Sequence, residues 1–533
     1  MLAATDTVDV LLTTLNAKYI HASLGLRYLR ANMGTLRERC VIREFTIQQR
    51  PQDIVEQLLA LQPKVIGFGV YIWNVDETTR CVQLLKTVSP QTKIVLGGPE
   101  VSYECEQQPI VQLADHVITG WGDVSFPKLC HALLYGPKPL AKIMPGEQPP
   151  LVQIALPYDE YTGEDIANRL LYVEASRGCP FKCEFCLSSL DKTAWPFDLD
   201  RFLAEMAKLH DRGARHFKFV DRTFNLKAET GARILQFFLD RMTPDLFVHF
   251  EVIPDQLPDS LKELIAQFPP GALQFEVGIQ SFNPEVQARI SRKADNVKTA
   301  ANLHWLVTHS HAHVHADLIF GLPGETLESF AEGFNRLHAL KPHEIQFGIL
   351  KRLRGTPIIR HTTEHDLRFD AQSPYAIVHN STVSFATVQR MTRFARYWDM
   401  VANSGRYART TALLLADDPF WRFCAFSDWL YARTGKTHEF AQDKLVELLF
   451  EFLTAERGLD TACAGLALAQ DYAASGARGN PKCIAPWLPE APRLRQALLA
   501  QSHLSERQTR HAKQSANPSV ALQSEIRKAA AAA

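Results

Sequence analysis

The stretch Leu171-Tyr172-Val173-Glu174-Ala175-Ser176-Arg177-Gly178-Cys179-Pro180-Phe181-Lys182-Cys183-Glu184-Phe185-Cys186 decides how this chain is read. Leu171 to Ala175 is a short apolar run that reads as a buried strand, and Ser176 onward reads as the loop that follows it. Three cysteines stand in that loop at C-x-x-x-C-x-x-C spacing. Three thiolates so spaced can each take one iron of a cubane cluster. Such clusters are usually held by four ligands, so three leave one iron open. An open iron can chelate the amino and carboxylate groups of S-adenosylmethionine (SAM). An electron from the cluster then enters the sulfonium, and homolysis gives a 5′-deoxyadenosyl radical. The competing interpretations are a zinc site and three unrelated cysteines. Structural zinc takes four ligands and catalytic zinc usually three, and no fourth Cys or His sits at a typical spacing.

Working outward, the loop opens an alternating series. Leu171 to Ala175, His216 to Val220, Phe247 to Val252, Leu273 to Ile279, Val314 to Phe320 and Ile345 to Leu350 read as strands, with helices between them, clearest at Asp198 to Leu209 and Leu327 to Leu340. Six βα units in series predict an α/β fold, a partial (β/α)6 TIM-type barrel over residues 168–385, with its chemistry at the C-terminal strand ends. Upstream, Val8 to Thr14, Val41 to Ile47, Val65 to Val70, Ile94 to Leu96 and His116 to Thr119 alternate with amphipathic stretches such as Asp53 to Leu61 and Glu77 to Val88. That pattern predicts a Rossmann-like, doubly wound domain over residues 1–140, its parallel sheet covered on both faces. Pro- and Gly-rich residues mark a linker over 141–167. Downstream the pattern turns helical over 386–505, at Val388 to Ala402, Asp428 to Arg433, Glu439 to Leu453 and Asp460 to Ala474, and a polar tail fills 506–533.

Bulk composition narrows the class. Lys plus Arg and Asp plus Glu number 58 each, so there is no global charge pulling the chain toward nucleic acid or membrane. No apolar run is long enough to span a bilayer; Thr411 to Ala416 is stopped by Asp417 and Asp418. Met1 to Asp9 lacks a basic segment followed by an apolar core, so no secretory signal is expected there. The ten cysteines are mostly scattered, against a disulfide framework and for a reducing, cytoplasmic setting.

The cysteine segment resembles the cluster loop of the radical SAM superfamily, including the aromatic Phe185 just before the third cysteine. The resemblance implies a [4Fe-4S] cluster on Cys179, Cys183 and Cys186, with Phe185 near the adenine of SAM. Phe219-Val220-Asp221-Arg222-Thr223-Phe224-Asn225 sits where the family has its second-strand motif, often Gly-Gly-Glu. The departure to Asp-Arg-Thr leaves Asp221 as the implied acceptor for the methionine ammonium, which needs an anionic or carbonyl partner once desolvated. Glu251 ends the third strand. Glu276, Gln280 and Ser281 end the fourth and resemble ribose-contacting positions, although an ion pair with a neighbour such as Arg292 is an alternative for Glu276. Alternation puts Glu276 and Gly278 on one face and Val277 and Ile279 on the other. Asp317-Leu318-Ile319-Phe320-Gly321-Leu322-Pro323-Gly324-Glu325-Thr326 resembles the fifth-strand motif, in which Gly321 lets backbone approach the adenosyl group. Glu325 reads equally as an acid in the first turn of the next helix. Phe347 to Leu350 and Gly355-Thr356-Pro357 complete the resemblance.

The upstream domain resembles the cobalamin-binding domain that precedes the barrel in one large branch of that superfamily. Gly67 to Tyr71, Gly97-Gly98-Pro99-Glu100 and Gly120-Trp121-Gly122-Asp123 each follow a strand, and Gly-rich strand ends in a doubly wound sheet form the usual ligand crevice. The resemblance implies cobalamin beside Tyr71, Gly97, Gly98, Gly120 and Gly122. Val70, Tyr71 and Ile72 depart from the branch's usual residues. No D-x-H-x-x-G motif follows the first strand, so any cobalamin would lack a lower histidine ligand, and His21 reads as a helix-terminal or partner-contacting residue. Ser384-Phe385 and Asn403 to Arg406 resemble an uncharacterised C-terminal domain of some members. His311, His313 and His315 read as one polar strand face.

The implied function is a cobalamin-dependent radical SAM enzyme that methylates an unactivated carbon. The alternatives are a cobalamin-containing enzyme of rearrangement or cyclisation, and a non-catalytic cobalamin or redox sensor. The implied partners are a small-molecule or peptide substrate and an electron donor such as flavodoxin or ferredoxin.

Overall fold

The computed structural model describes residues 8–477 and 479–488; the polar tail expected over 506–533 lies outside the described residues. Six parallel strands form the first sheet: β1 Val10–Asn16, β2 Cys40–Thr46, β3 Val65–Gly69, β4 Lys93–Gly97, β5 His116–Thr119 and β6 Ile143–Pro145, in the order β2-β1-β3-β4-β5-β6. The strand order reverses at β1, so β1 and β3 flank the topological switch point, where open α/β sheets bind ligands. Each face carries its own apolar layer. Ile66, Phe68 and Leu96 pack on one side, and Val10, Leu12 and Val95 on the other, as the alternation of a strand buried on both faces requires. β6 comes from the Pro/Gly-rich segment. Its three residues are too few to show a period, so composition masked a strand that pairs with β5 from Val117 to Thr119.

Next come β7 Leu171–Val173, the antiparallel pair β8 Ser176–Gly178 and β9 Ala194–Pro196, then β10 His216–Phe219, β11 Phe247–Val252, β12 Leu273–Gln280, β13 His313–Phe320 and β14 Glu344–Ile349. The second sheet is parallel and open, in the order β14-β13-β12-β11-β10-β7, the six-unit series that the sequence predicts. Along β12, Leu273, Phe275, Val277 and Ile279 are buried, while Gln274, Glu276, Gly278 and Gln280 are half-buried on the other face. Along β13 the same alternation leaves His315 and Asp317 beside them. Apolar residues thus meet the outer helices and polar ones line the inside. Those helices start where their caps dictate: the Asp198 side chain accepts from Arg201 N at Leu199–Asp211, and Thr326 accepts from Ser329 N at Leu327–Ala339.

The helical region after residue 385 shares one continuous core with this sheet. Phe334, on the outer face of Leu327–Ala339, packs edge-on against Trp398 at 4.8 Å between ring centroids and against Phe420 at 5.6 Å. Buried aromatic pairs of this kind add about 0.5–1.5 kcal/mol each beyond their area. A further helix, Ala408–Leu415, is the apolar run that Asp417 and Asp418 close. Among the described residues no helix is long and apolar enough to cross a membrane.

Candidate active site

The cysteine loop is pinned at both ends. β8 pairs with β9, so the loop leaves β7 through a short hairpin rather than directly. Gly178 stands at φ +82 with the Thr193 carbonyl where a side chain would be, so only glycine fits. Glu184 N donates to Ile290 O at 3.1 Å, and Ile358 N to Glu184 O at 3.0 Å, fastening the middle of the loop to two later segments. Cys179, Cys183 and Cys186 then line one cavity of about 240 Å³ at the C-terminal ends of the strands. Phe185, Glu251, Glu276 and Gln280 line the same cavity, together with Arg222, Arg292 and Asp317.

The cavity is strongly polarised. Burial pushes the Cys179 thiol up to about 11. Burial also raises Cys183, opposed by Arg292, whose Nη1 lies 3.6 Å from the Cys183 sulfur. Arg222 Nη1 donates to both oxygens of Glu251, at 2.7 and 3.0 Å. Burial raises the Glu251 carboxyl, and the Arg222 charge resists it. Glu276 pairs with Lys218 at 3.5 Å and His249 at 3.2 Å, not with Arg292. Burial works against its charge, but the His249 and Lys218 contacts outweigh burial and hold Glu276 well below the usual carboxylate range. Burial pushes Asp317 well up, and the neighbouring Glu276 and Glu251 charges add to it. A carboxyl held low at Glu276 and carboxyls pushed up at Glu251 and Asp317 therefore face the same space. Gln280 is set by a register shift between Gly278 and Gln280 and by φ +70 at Gln280. A bulge of this kind re-aims a side chain at a strand end.

Three other expected residues lie around the cavity without lining it. Asp221, expected at the methionine ammonium, instead accepts from Ala175 N at 2.9 Å and Ser176 Oγ at 2.6 Å, tying β10 to the start of the cysteine hairpin. Burial pushes its carboxyl up to about 7. The Ser281 hydroxyl, expected at the ribose, donates to the buried Glu325 carboxylate. Glu325 precedes the Thr326 cap, so it is not in the first helical turn. Gly321, at φ +90, has Ile377 within 2.7 Å of where a Cβ would stand. His313 bonds Glu344 at 3.0 Å and His315 faces Asp317 at 3.5 Å, so the alternating histidines serve two separate pairs.

The upstream domain carries a second cavity, of about 280 Å³, over the C-terminal strand ends. Tyr71, Gly97, Gly98, Gly120 and Gly122 all line it, with Trp121 and Asp123. Gly98, at φ +110, is forced by the Val70 carbonyl 2.5 Å from a would-be Cβ, whereas Gly120 faces open space. Glu174 and Arg177 from the barrel side complete the wall. His21 bonds Tyr172 of β7 at 2.9 Å and so acts in the contact between the two sheets. Sequence reasoning did not single out Arg222, Arg177 or Lys218 as site residues. Arg222 was legible only as the basic centre of the Asp-Arg-Thr departure, while Arg177 and Lys218 need the tertiary partner to be recognised.

Two parallel sheets thus carry two neighbouring sites, a three-thiol cavity with one polarised wall and a glycine-floored cleft. A radical SAM superfamily model matches residues 173–337 and a B12 binding domain model matches 10–130. The chain therefore carries a radical SAM domain preceded by a B12-binding domain. A third model, described only as a protein of unknown function (DUF4080), matches residues 363–528. Among relatives, the chain is 24% identical over 381 residues to an uncharacterized methyltransferase, PH0819, of Pyrococcus horikoshii, covering 64% of this chain and 79% of that one. It is 23% identical over 333 residues to the cobalamin-dependent radical SAM methyltransferase TokK of Streptomyces tokunonensis, covering 56% of this chain and 47%, about half, of that relative. The fold is similar to that of the radical SAM methyltransferase TsrM from Kitasatospora setae, with TM-score 0.52 at 17% identity over 65% of this chain and 74% of that one.

The residues present fit the cofactors of that class: a [4Fe-4S] cluster, SAM and cobalamin. Three thiols share one cavity, and the neighbouring Arg292 Nε is buried with no hydrogen-bond partner, as a donor awaiting an acceptor would be. In the cleft, Gly120 leaves an open cradle that a side chain would fill. Among the described residues no imidazole lines that cleft.

Proposed function

We propose that this chain is a cobalamin-dependent radical SAM methyltransferase that places a methyl group on an unactivated carbon of a small molecule or peptide. One observation carries the reading. Arg177 lines the glycine-floored cleft and Cys179 lines the thiol cavity, so only Gly178 separates the two sites along the chain. A substrate lying across that boundary is within reach of both. The cluster with SAM supplies a hydrogen-abstracting adenosyl fragment and cobalamin supplies a transferable methyl group, chemistry that no side chain provides.

The chain's own residues hold, orient and exclude water. Glu276, kept ionised by His249 and Lys218, and Glu251, clamped by Arg222, offer carboxylate oxygens to the ammonium and ribose hydroxyls of the cosubstrate. Gln280 adds an amide, and Phe185 an apolar wall beside the third cysteine. Asp221 is a positioning residue that acts through Ala175 and Ser176. Relatives named as methyltransferases support methyl transfer over rearrangement or cyclisation. We place the enzyme in the cytoplasm, with reduced flavodoxin or ferredoxin as electron donor; the ten cysteines, all free thiols, suit a reducing compartment.

The test is anaerobic reconstitution with iron, sulfide and cobalamin, followed by SAM and reductant. Cluster content is expected to fall to background in C179A, C183A and C186A. 5′-Deoxyadenosine together with S-adenosylhomocysteine, one of each per methylated product, supports the reading. Deoxyadenosine with no S-adenosylhomocysteine would instead favour rearrangement, and neither product under full cofactor loading would favour a sensor.

A further inference from the structure

One cluster of ligating side chains lies outside both cavities. Past β14 the chain makes the short turn Pro357–His361, and His361, Glu364 and His365 follow within five residues. His365 N donates to His361 O at 3.0 Å, closing one helical turn. Side chains four apart on such a turn share a face, and the two imidazole centroids are 5.9 Å apart. One ligand atom from each of the three residues lies within 4.8 Å of the other two.

Two details separate this cluster from a chance grouping. First, His365 Nε2 is buried and makes no hydrogen bond, although a Glu364 oxygen stands 3.7 Å away. A buried ring nitrogen left in that state needs an account. Two ligands at about 2.0–2.1 Å from a tetrahedral zinc are roughly 3.3 Å apart, so the observed gap needs to close by only a few tenths of an ångström. Second, His361 is oriented from behind: its Nε2 lies 2.8 Å from Glu184 Oε2. A carboxylate on one ring nitrogen fixes the tautomer and leaves the other nitrogen its lone pair, as behind most metal-bound histidines. Of the nearby cations, Arg360 is engaged by Glu184 and also sets its Nε 3.4 Å from His361 Nε2, on the side away from the proposed ion, and Arg289 is engaged by the Pro323 carbonyl at 2.7 Å.

We propose that His361, Glu364 and His365 bind a divalent cation of the zinc kind, with Glu184 as the carboxylate behind His361. Two imidazoles and one carboxylate suit a borderline metal, whereas calcium and magnesium take oxygen ligands. The exposed Glu364 leaves the fourth position to water. Glu184 lies between Cys183 and Phe185 and also accepts from Ser291 Oγ at 2.5 Å. The bound ion therefore fastens the segment after the sixth strand beneath the cysteine loop.

The test uses the full chain loaded with its cluster, so that the three thiols are already engaged. The chain is cleared of loose metal and titrated with zinc against a chelating dye, with zinc and iron counted separately by mass spectrometry. One zinc per chain is expected beyond the cluster iron. E364Q, at an exposed position that the fold does not need, and H365Q should each weaken zinc binding at least tenfold, and E184Q by about 10- to 100-fold. No zinc above background, or equal affinity in E364Q, H365Q and the parent, would overturn the site. Neither result bears on SAM cleavage, which is read separately.

Discussion

Arg177, two residues before the first cysteine of the thiol loop, grips Asp123 of the B12-binding domain through two parallel hydrogen bonds, Nη1 to Oδ2 at 2.8 Å and Nη2 to Oδ1 at 3.1 Å. Its Nε donates to Glu174 at 2.7 Å, and its guanidinium lies over Tyr28 at 4.4 Å and Trp121 at 4.9 Å. Two acids and two aromatic rings are thus organised by one cation at the boundary between the two cofactor sites. Removing it strands two buried carboxylates. R177A should lose about 3–5 kcal/mol of stability in anaerobic urea unfolding, the usual cost of breaking a buried pair from one side. R177K keeps the charge but not the planar fork, so it should fall between the two. An R177A chain as stable as the parent would show that the two domains do not depend on this link.

Much of this architecture is legible before any coordinates. The six strand runs of the barrel and the five of the first sheet carry continuous apolar or alternating signals, and Phe247–Val252 and His116–Thr119 appear at the expected bounds. The thiol cavity is legible because its three cysteines lie within eight residues of one another. What the sequence hides is pairwise and distant. β6 hides in a proline-rich stretch because three residues show no period. Asp221 has the right residue type at the right strand end, yet its oxygens are taken by Ala175 and Ser176, 46 and 45 positions away. No local pattern encodes that competition. The same holds for Lys218 and His249, which reach Glu276 only because β10, β11 and β12 lie side by side.

Arg292 should tune how readily the thiols take up iron. Burial raises Cys183 and the guanidinium lowers it, so R292Q removes the opposing effect and the thiol rises further. Metal ligation needs the thiolate. The pH midpoint for cluster loading should therefore move upward in R292Q, measured as protein-bound iron and sulfide across a pH series. Unchanged loading at every pH would exclude a role for Arg292 toward the sulfur and leave only its bond to the Gly278 carbonyl.

Glu325 gives a pH-dependent stability with a definite sign. Burial raises its carboxyl to about 7, partly offset by the Ser281 hydroxyl. The folded chain therefore holds a proton that the unfolded chain has released once pH exceeds the ordinary carboxylate range. Stability from this group is full below that range and is lost as pH rises toward and through 7. E325Q keeps an acceptor for Ser281 and cannot ionise. It should match the parent near pH 5 and exceed it by up to roughly 3 kcal/mol at pH 8. Parallel stability curves for the two chains from pH 5 to 8 would contradict the assignment.

The two cleft glycines should fail in different ways. Gly98 sits at φ +110, ψ 169, a region essentially closed to other residues, and a Cβ there would meet the Val70 carbonyl at 2.5 Å and Val70 N at 3.0 Å. Val70 N also donates to Gly97 O at 2.8 Å, so the clash forces apart the ends of β3 and β4 at the ligand crevice. G98A should cost about 3 kcal/mol or more and abolish cobalamin retention. Gly120, at φ +71, has nothing within 4 Å of a Cβ. G120A should cost only the left-handed strain, about 1–2 kcal/mol, while its methyl group projects into the cleft. Cobalamin uptake by G120A, followed by absorption after anaerobic reconstitution, should drop well below the parent's while the fold survives. A G120A chain that binds cobalamin as the parent does would place the corrin away from this edge of the cleft.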